Sequence, residues 1–224
     1  MLNLPPPPPN FRGLDPDEKV HVYRRHMPHW RQPGATYFVT FRLADSLPQE
    51  KLDEIKRMRQ EWERTHLPPR SEGAWEDHCR DVIRRTEAWF DEGYGSCIFR
   101  HEASANAMEE ALHHFQNDRY FLSCYVIMPN HAHMILRPLG DWDLEYLLQG
   151  LKGVVARSVN QLRDERGTIW QEEFYDRIVR DSEHLWRIVQ YVGSNPRRAG
   201  LTPSESRRWI HPEWTDAGWG FVDS

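Results

Sequence analysis

Apolar positions along this 224-residue chain change their period several times, and each change marks an element. "ATYFVTFRLA" (35–44) is almost continuously aromatic or β-branched, which predicts a strand. "PQEKLDEIKRMRQEWERTH" (48–66) spaces Leu52, Ile55, Met58 and Trp62 three or four apart, the period of an amphipathic helix. "PPRSEG" (68–73) breaks it, and "AWEDHCRDVIRRTEAWFDEG" (74–93) predicts a second helix stopped by Gly93. A third helix is expected from about Ala103 to Asn117. "RYFLSCYVIM" (119–128) and "HAHMILRP" (131–138) flank the dipeptide "PN" and predict a β-hairpin. In 141–163, Leu144, Leu147, Leu148, Leu151 and Val155 form one helical stripe. A short strand is expected within "TIWQEEFYDRIVRD" (168–181), then a Ser-capped helix to about Ser194, ended by Pro196.

With the acidic helical pair 45–93 set aside, the order is strand, helix, strand, strand, helix, strand, helix. This is the α+β, ferredoxin-like βαββαβ arrangement: an antiparallel sheet with helices on one face, then a further helix. The pair 45–93 is then a helical insertion after the first strand of a 21–201 domain. Residues 1–20 contain Pro5 to Pro9 and predict an extended tether. The tail 202–224 places Trp209, Trp214 and Trp219 five apart, a spacing of neither helix nor strand. An extended segment packing its indoles on the domain is expected there.

No stretch approaches the roughly 18 apolar residues of a membrane helix, and the N-terminus lacks the pattern of a secretory signal. Cys79, Cys97 and Cys124 are odd in number and without metal-type spacing, which suits reduced thiols in a cytoplasmic protein. The net charge of −5 argues against a nucleic-acid partner until its distribution is seen. Residues 44–118 carry −7, while 21–43 carry +4 with no acid at all. That basic segment interleaves Tyr23 and Trp30 with its arginines. It reads either as a nucleic-acid surface or as an ordinary solvated arm.

The candidate chemistry lies late in the chain. On a strand, His131 and His133 point to one side, their Cα atoms about 6.8 Å apart, and two imidazoles can converge on one ion. An incidental strand pair would look the same. Tyr191 and Asn195 are four apart and share a helix face; the carboxamide can ligate a hard cation with the phenol beside it. Alone, these two read as a half-buried aromatic and a helix stop.

"MPNHAHMILRP" resembles the His-hydrophobic-His motif of the HUH endonucleases, and "YVGSNPRRAGL" resembles the tyrosine helix of the REP-associated tyrosine transposases. "IWQEEFYDRIVR" is similar to the Trp-Gln segment that precedes this helix in that family, and "HWRQPGATYFVTFRLADSLP" to the first strand of its longer members. The resemblance spans roughly 23–43 and 94–201; Ala132 is small for the middle position, and the 45–93 insertion is absent from the shortest members. It implies a metal-dependent single-strand DNA endonuclease or transposase working through a 5′-phosphotyrosine, at hairpins with single-stranded flanks. Tyr191 would be the nucleophile, and His131, His133 and Asn195 would hold Mg²⁺ or Mn²⁺. Arg24, Arg25, Arg31, Lys152, Arg157, Arg197 and Arg198 would contact DNA, with Trp30 and Trp142 available for stacking. Such a protein is expected in the cytoplasm, on the nucleoid when bound to DNA, as a monomer or homodimer. The insertion, being acidic, is expected to lie away from the metal site. Two rivals stay open: a metal-dependent hydrolase with water as nucleophile, and a non-catalytic nucleic-acid-binding domain on the same sheet.

Overall fold

A computed structural model describes residues 4–24, 28–66, 72–172 and 174–222. In chain order these form β1 (His21–Arg24), β2 (Pro28–Arg31), β3 (Tyr37–Arg42), α1 (Gln49–Thr65), α2 (Glu72–Asp91) and α3 (Glu102–His114). There follow β4 (Tyr120–Ile127), β5 (His131–Pro138), α4 (Leu144–Arg163), β6 (Tyr175–Ile178), α5 (Ser182–Arg198), β7 (Arg207–Ile210) and α6 (Pro212–Asp216). β1 and β2 make a separate two-stranded ribbon. The main sheet has five strands in the order β6-β3-β5-β4-β7, antiparallel throughout. Its first four strands have the ferredoxin-like order, as the pattern predicted; β7 is an added edge.

The period of two sorts the sheet into two faces. Tyr37, Val39 and Phe41 of β3 and Ala132, Met134 and Leu136 of β5 pack under α3 and α4, against Met108, Leu112, Leu148 and Val155. The intervening Phe38 and Ile135 face α5, against Leu185, Ile188, Val189 and Val192. By the same alternation His131, His133 and Thr40 belong to the α5 face. Register aligns Thr40 with His133 and Arg42 with His131.

Several expectations are corrected. Asp181, not Ser182, caps α5, accepting the His184 N–H at 2.7 Å. The helix also runs through Pro196 to Arg198. Proline there deletes only one hydrogen bond in the final turn, so the helix tolerates it. The N-terminal segment is extended but not free: Pro6 and Pro9 accept the indole N–H of Trp219 and Trp214 at 2.7 and 2.9 Å. Leu14 N–H bonds to Val179 O at 3.0 Å, and Thr36 N–H to Arg12 O at 2.8 Å. The tail is not simply extended either, since it supplies β7 and α6. Trp214 and Trp219 are fully buried under the α5 face, whereas Trp209 stacks on Tyr125 at 5.7 Å on the other. Gly193 of α5 makes room for this tail, because a Cβ there would lie 2.5 Å from the Phe221 ring. Among the described residues no helix is long and apolar enough to cross a membrane.

Candidate active site

β5 and α5 bring His131, His133, Tyr191 and Asn195 together. His131, His133 and Asn195 are essentially inaccessible, at 1%, 0% and 0% exposure. The two imidazole centroids are 4.7 Å apart, and the His133 ring lies 5.2 Å from that of Tyr191. Tyr191 Oη is 3.3 Å from His133 Nε2, and Thr40 Oγ1 is 2.8 Å from His133 Nδ1. Phe38 stacks beneath His133 at 5.5 Å and meets Tyr191 edge-on at 6.0 Å.

Burial governs the electrostatics. Desolvation holds His131 down to about 3, and His133 well below its ordinary value, with Arg198 and Arg177 adding to the effect on His133. Both rings are therefore neutral at physiological pH, the form that ligates metals. Burial also pushes the Tyr191 phenol up, helped by the Glu87 carboxylate and opposed by Asn195 and Arg198.

Three buried polar atoms in this cluster lack a hydrogen bond: His131 Nε2, Asn195 Oδ1 and Asn195 Nδ2. Asn195 is close enough to His131 and Tyr191 to bias the proton affinity of both, yet its amide meets neither in good geometry. An unpaired buried polar atom costs about 1–3 kcal/mol, so three in one place call for a ligand. Two imidazole nitrogens and an amide oxygen suit a divalent cation. The donor set fits. Among the described residues no cluster of three or more His, Cys, Asp or Glu offers another metal site.

The insertion is where the sequence reading fails. Its acidity implies a place away from the site, yet its end packs beside it. Phe90 lies 5.4 Å from the His131 ring, and Asp91 accepts from Arg198 at 3.5 Å. Glu87 interacts with the Tyr191 hydroxyl and faces Arg177 and Arg198. Burial pushes both Glu87 and Asp91 upward, with Arg198 pulling both back and Arg177 acting on Glu87. The apolar side of α1 and α2 supplies the reason: Leu47, Trp89 and Phe90, with Leu52 and Ile55, form their own small core. Asn130 then ties the α2 end to the β4–β5 turn. The acidity seen along 44–118 belongs largely to outward-facing helix surface, where Glu61, Glu63 and Asp81 pair with neighbouring arginines.

The cationic candidates separate. Arg197 and Arg198 are exposed at the end of α5, and the Arg198 guanidinium lies 5.2 Å over the Tyr191 ring. Arg31 is paired with Asp176 and Glu145, contacts that hold β2 to the domain. The Lys152 ammonium donates to Gln171 O and Glu172 O at 2.7 and 2.9 Å and braces the Trp170 segment. Arg157 is exposed on α4, across the sheet from Tyr191. Arg24 lies in β1, described here by its backbone alone, and Arg25 is outside the described residues. Trp30 is half-buried against the α3–α4 core, and Trp142 stacks on Tyr146 at 5.8 Å. Sequence reasoning missed Arg177, Thr40, Asn130 and Glu87. Thr40 is the register partner of His133, two positions from Phe38 on the same face, and β6 carries Arg177 opposite Phe38 on that face.

Residues 94–195 match the family model described as "Transposase IS200 like". A search of the curated proteins finds no match. Among solved structures, the chain is similar to a REP-associated tyrosine transposase bound to a REP hairpin, at 16% identity and a TM-score of 0.38. That similarity covers 80% of this chain and 74% of the other.

Proposed function

We propose that this chain, which over residues 94–195 is similar to the IS200-like transposases, cleaves and rejoins single-stranded DNA through a covalent 5′-phosphotyrosine at hairpin-forming repeats. One observation carries the reading. The Tyr191 hydroxyl stands 3.3 Å from His133 Nε2, in a buried cluster where His131 Nε2 and both amide atoms of Asn195 have no hydrogen-bond partner. In the reaction, Tyr191 Oη bonds to a backbone phosphorus and loses its proton. The bond from phosphorus to the 3′ oxygen breaks, and that oxygen gains a proton. A later attack by a 3′-hydroxyl reverses these changes and releases Tyr191, so no phosphodiester energy is lost.

His131, His133 and Asn195 would hold a divalent ion, Mg²⁺ or Mn²⁺. When bound, such an ion supplies positive charge for the non-bridging oxygen on which negative charge grows. Phe38 and Thr40 keep His133 in place beneath Tyr191. Arg198, over the Tyr191 ring, and Arg177, over the Phe38 ring and acting on His133, suit a phosphate. In this structure they face Glu87 and Asp91 instead, so the incoming phosphate must displace two carboxylates. The neutral ligand set is completed by substrate charge, and metal and DNA are expected to bind cooperatively.

Incubation of the protein with an end-labelled hairpin oligonucleotide bearing single-stranded flanks, plus Mn²⁺, tests this. A denaturing gel should show a protein–DNA adduct that chelator or Tyr191→Phe abolishes. Cleavage without any adduct would instead assign the attack to water.

A further inference from the structure

We infer that Asn130 is a positioning residue that sets the tautomer of His131 and fastens the end of the α2 insertion to the metal site. Asn130 is 1% exposed, in the turn between β4 and β5. Its amide nitrogen lies 3.3 Å from Phe90 O and 3.1 Å from Tyr94 O, both past the last full turn of α2 or within it. Carbonyl oxygens only accept, so the amide group between them must be the NH₂. The amide oxygen is thereby fixed on the other side, 2.8 Å from His131 Nδ1. It too only accepts, so Nδ1 must carry the proton.

A neutral imidazole has one ring proton, and His131 Nε2 is left with a bare lone pair. That same nitrogen is buried and has no hydrogen-bond partner. An oriented imidazole with its far nitrogen pinned and its near nitrogen bare is what ligation requires. His133 lacks this device. Its Nδ1 faces the Thr40 hydroxyl, which donates or accepts equally well. The insertion is thus part of the ligand's support: two backbone carbonyls orient one carboxamide, and the carboxamide orients one histidine. The inference rests on the metal reading for its purpose, though not for its tautomer.

The test uses full-length metal-free protein with ¹⁵N-labelled histidine rings at mildly alkaline pH. Long-range ¹H–¹⁵N correlation should show His131 protonated on Nδ1 alone. Asn130→Ala should give a mixture of tautomers. Asn130→Asp keeps an acceptor for Nδ1–H and should restore the tautomer, while losing the donor to Phe90 and Tyr94. Calorimetric Mn²⁺ affinity should fall about 10–100-fold in Asn130→Ala and recover in part in Asn130→Asp. A wild-type His131 protonated on Nε2 would overturn the inference, as would an Asn130→Ala protein with unchanged tautomer and Mn²⁺ affinity. A wild type with the expected tautomer that binds no Mn²⁺ supports the role of Asn130 and counts against the metal reading. Should Asn130→Ala fail to fold, the wild-type tautomer and the Asn130→Asp protein still decide.

Discussion

Beneath α3 and α4 the sheet buries Val39, Met134, Leu148 and Val155, and its buried tyrosines find acceptors: Tyr120 donates to Leu112 O at 2.7 Å and Tyr37 to Gln32 O at 3.0 Å. Beneath α5 the same sheet buries His131, His133 and Asn195 just as deeply, and three of their polar atoms bond to nothing. The two faces share strands, twist and register and differ only in what alternate positions carry. The first face is chosen for cohesion. The second gives up cohesion at one end, where His131, His133 and Asn195 gather, and Trp214 and Trp219, strapped to Pro9 and Pro6, restore it at the other. Stability and chemistry should therefore come apart when each face is altered in turn.

The largest expected effect is on activity. Tyr191→Phe removes one oxygen from the second face, and adduct formation should vanish. Urea unfolding should change by no more than about 1 kcal/mol, the scale of one modest hydrogen bond. A large loss of stability would mean that the phenol is structural.

Truncations on the two faces come next. Trp219→Ala deletes a fully buried indole and its bond to Pro6, at about 3–5 kcal/mol. Adduct formation per folded molecule should fall too, because the indole supports α5. Leu148→Ala on the first face should cost about 2–5 kcal/mol and leave adduct formation per folded molecule intact. Equal effects on chemistry would erase the distinction between the faces.

A smaller effect has the opposite sign. Asn195→Leu replaces an unpaired buried amide by a side chain of similar size. It should stabilise the metal-free protein by about 1–2 kcal/mol while abolishing Mn²⁺ binding. Destabilisation would show that the amide has partners inside the protein after all.

The smallest effect is in pH. Burial draws His184 down to about 4 from an ordinary 6.5, and its Nδ1 accepts the Arg180 N–H at 3.0 Å. Between those values the unfolded chain takes a proton that the folded chain refuses. Its contribution is therefore complete above pH 6.5 and is lost as pH falls towards 4. With partial solvent screening this is about 1–2 kcal/mol. His131 and His133 refuse protons over the same range, so His184→Gln should make that part of the stability–pH curve shallower without levelling it, and an unchanged slope would overturn the assignment to His184.

Much of this was legible in the sequence because it depends on local period. The run 35–44, the β4–β5 hairpin and the Leu stripe of α4 each announce their own partner face. The HUH-like and tyrosine motifs are close to their elements' ends, and four-residue spacing was enough to pair Tyr191 with Asn195. The position of the insertion was not legible. Net charge along 44–118 averaged over a solvated surface and a few residues, Glu87, Phe90 and Asp91, that turn inward. Nothing local marks those three; long-range bonds to Asn130 and Arg198 place them. The surroundings of Arg31 and Lys152 were hidden for a related reason. A cation in a sequence does not show whether a carboxylate or carbonyl far along the chain already holds it. β7 is short and half-buried, and the strapping of Trp214 and Trp219 depends on prolines some two hundred residues away.

The central claim is that Tyr191 Oη is the atom that takes the DNA strand. Mass spectrometry of peptides from the Mn²⁺-dependent adduct, after nuclease trimming, tests it most directly. The account predicts a nucleotide joined through its 5′-phosphate to Tyr191 alone, from the strand on the 3′ side of the cut. A nucleotide on Tyr175, which meets Phe38 on the same face at 6.4 Å, or no modified tyrosine in material that has been cleaved, would contradict it.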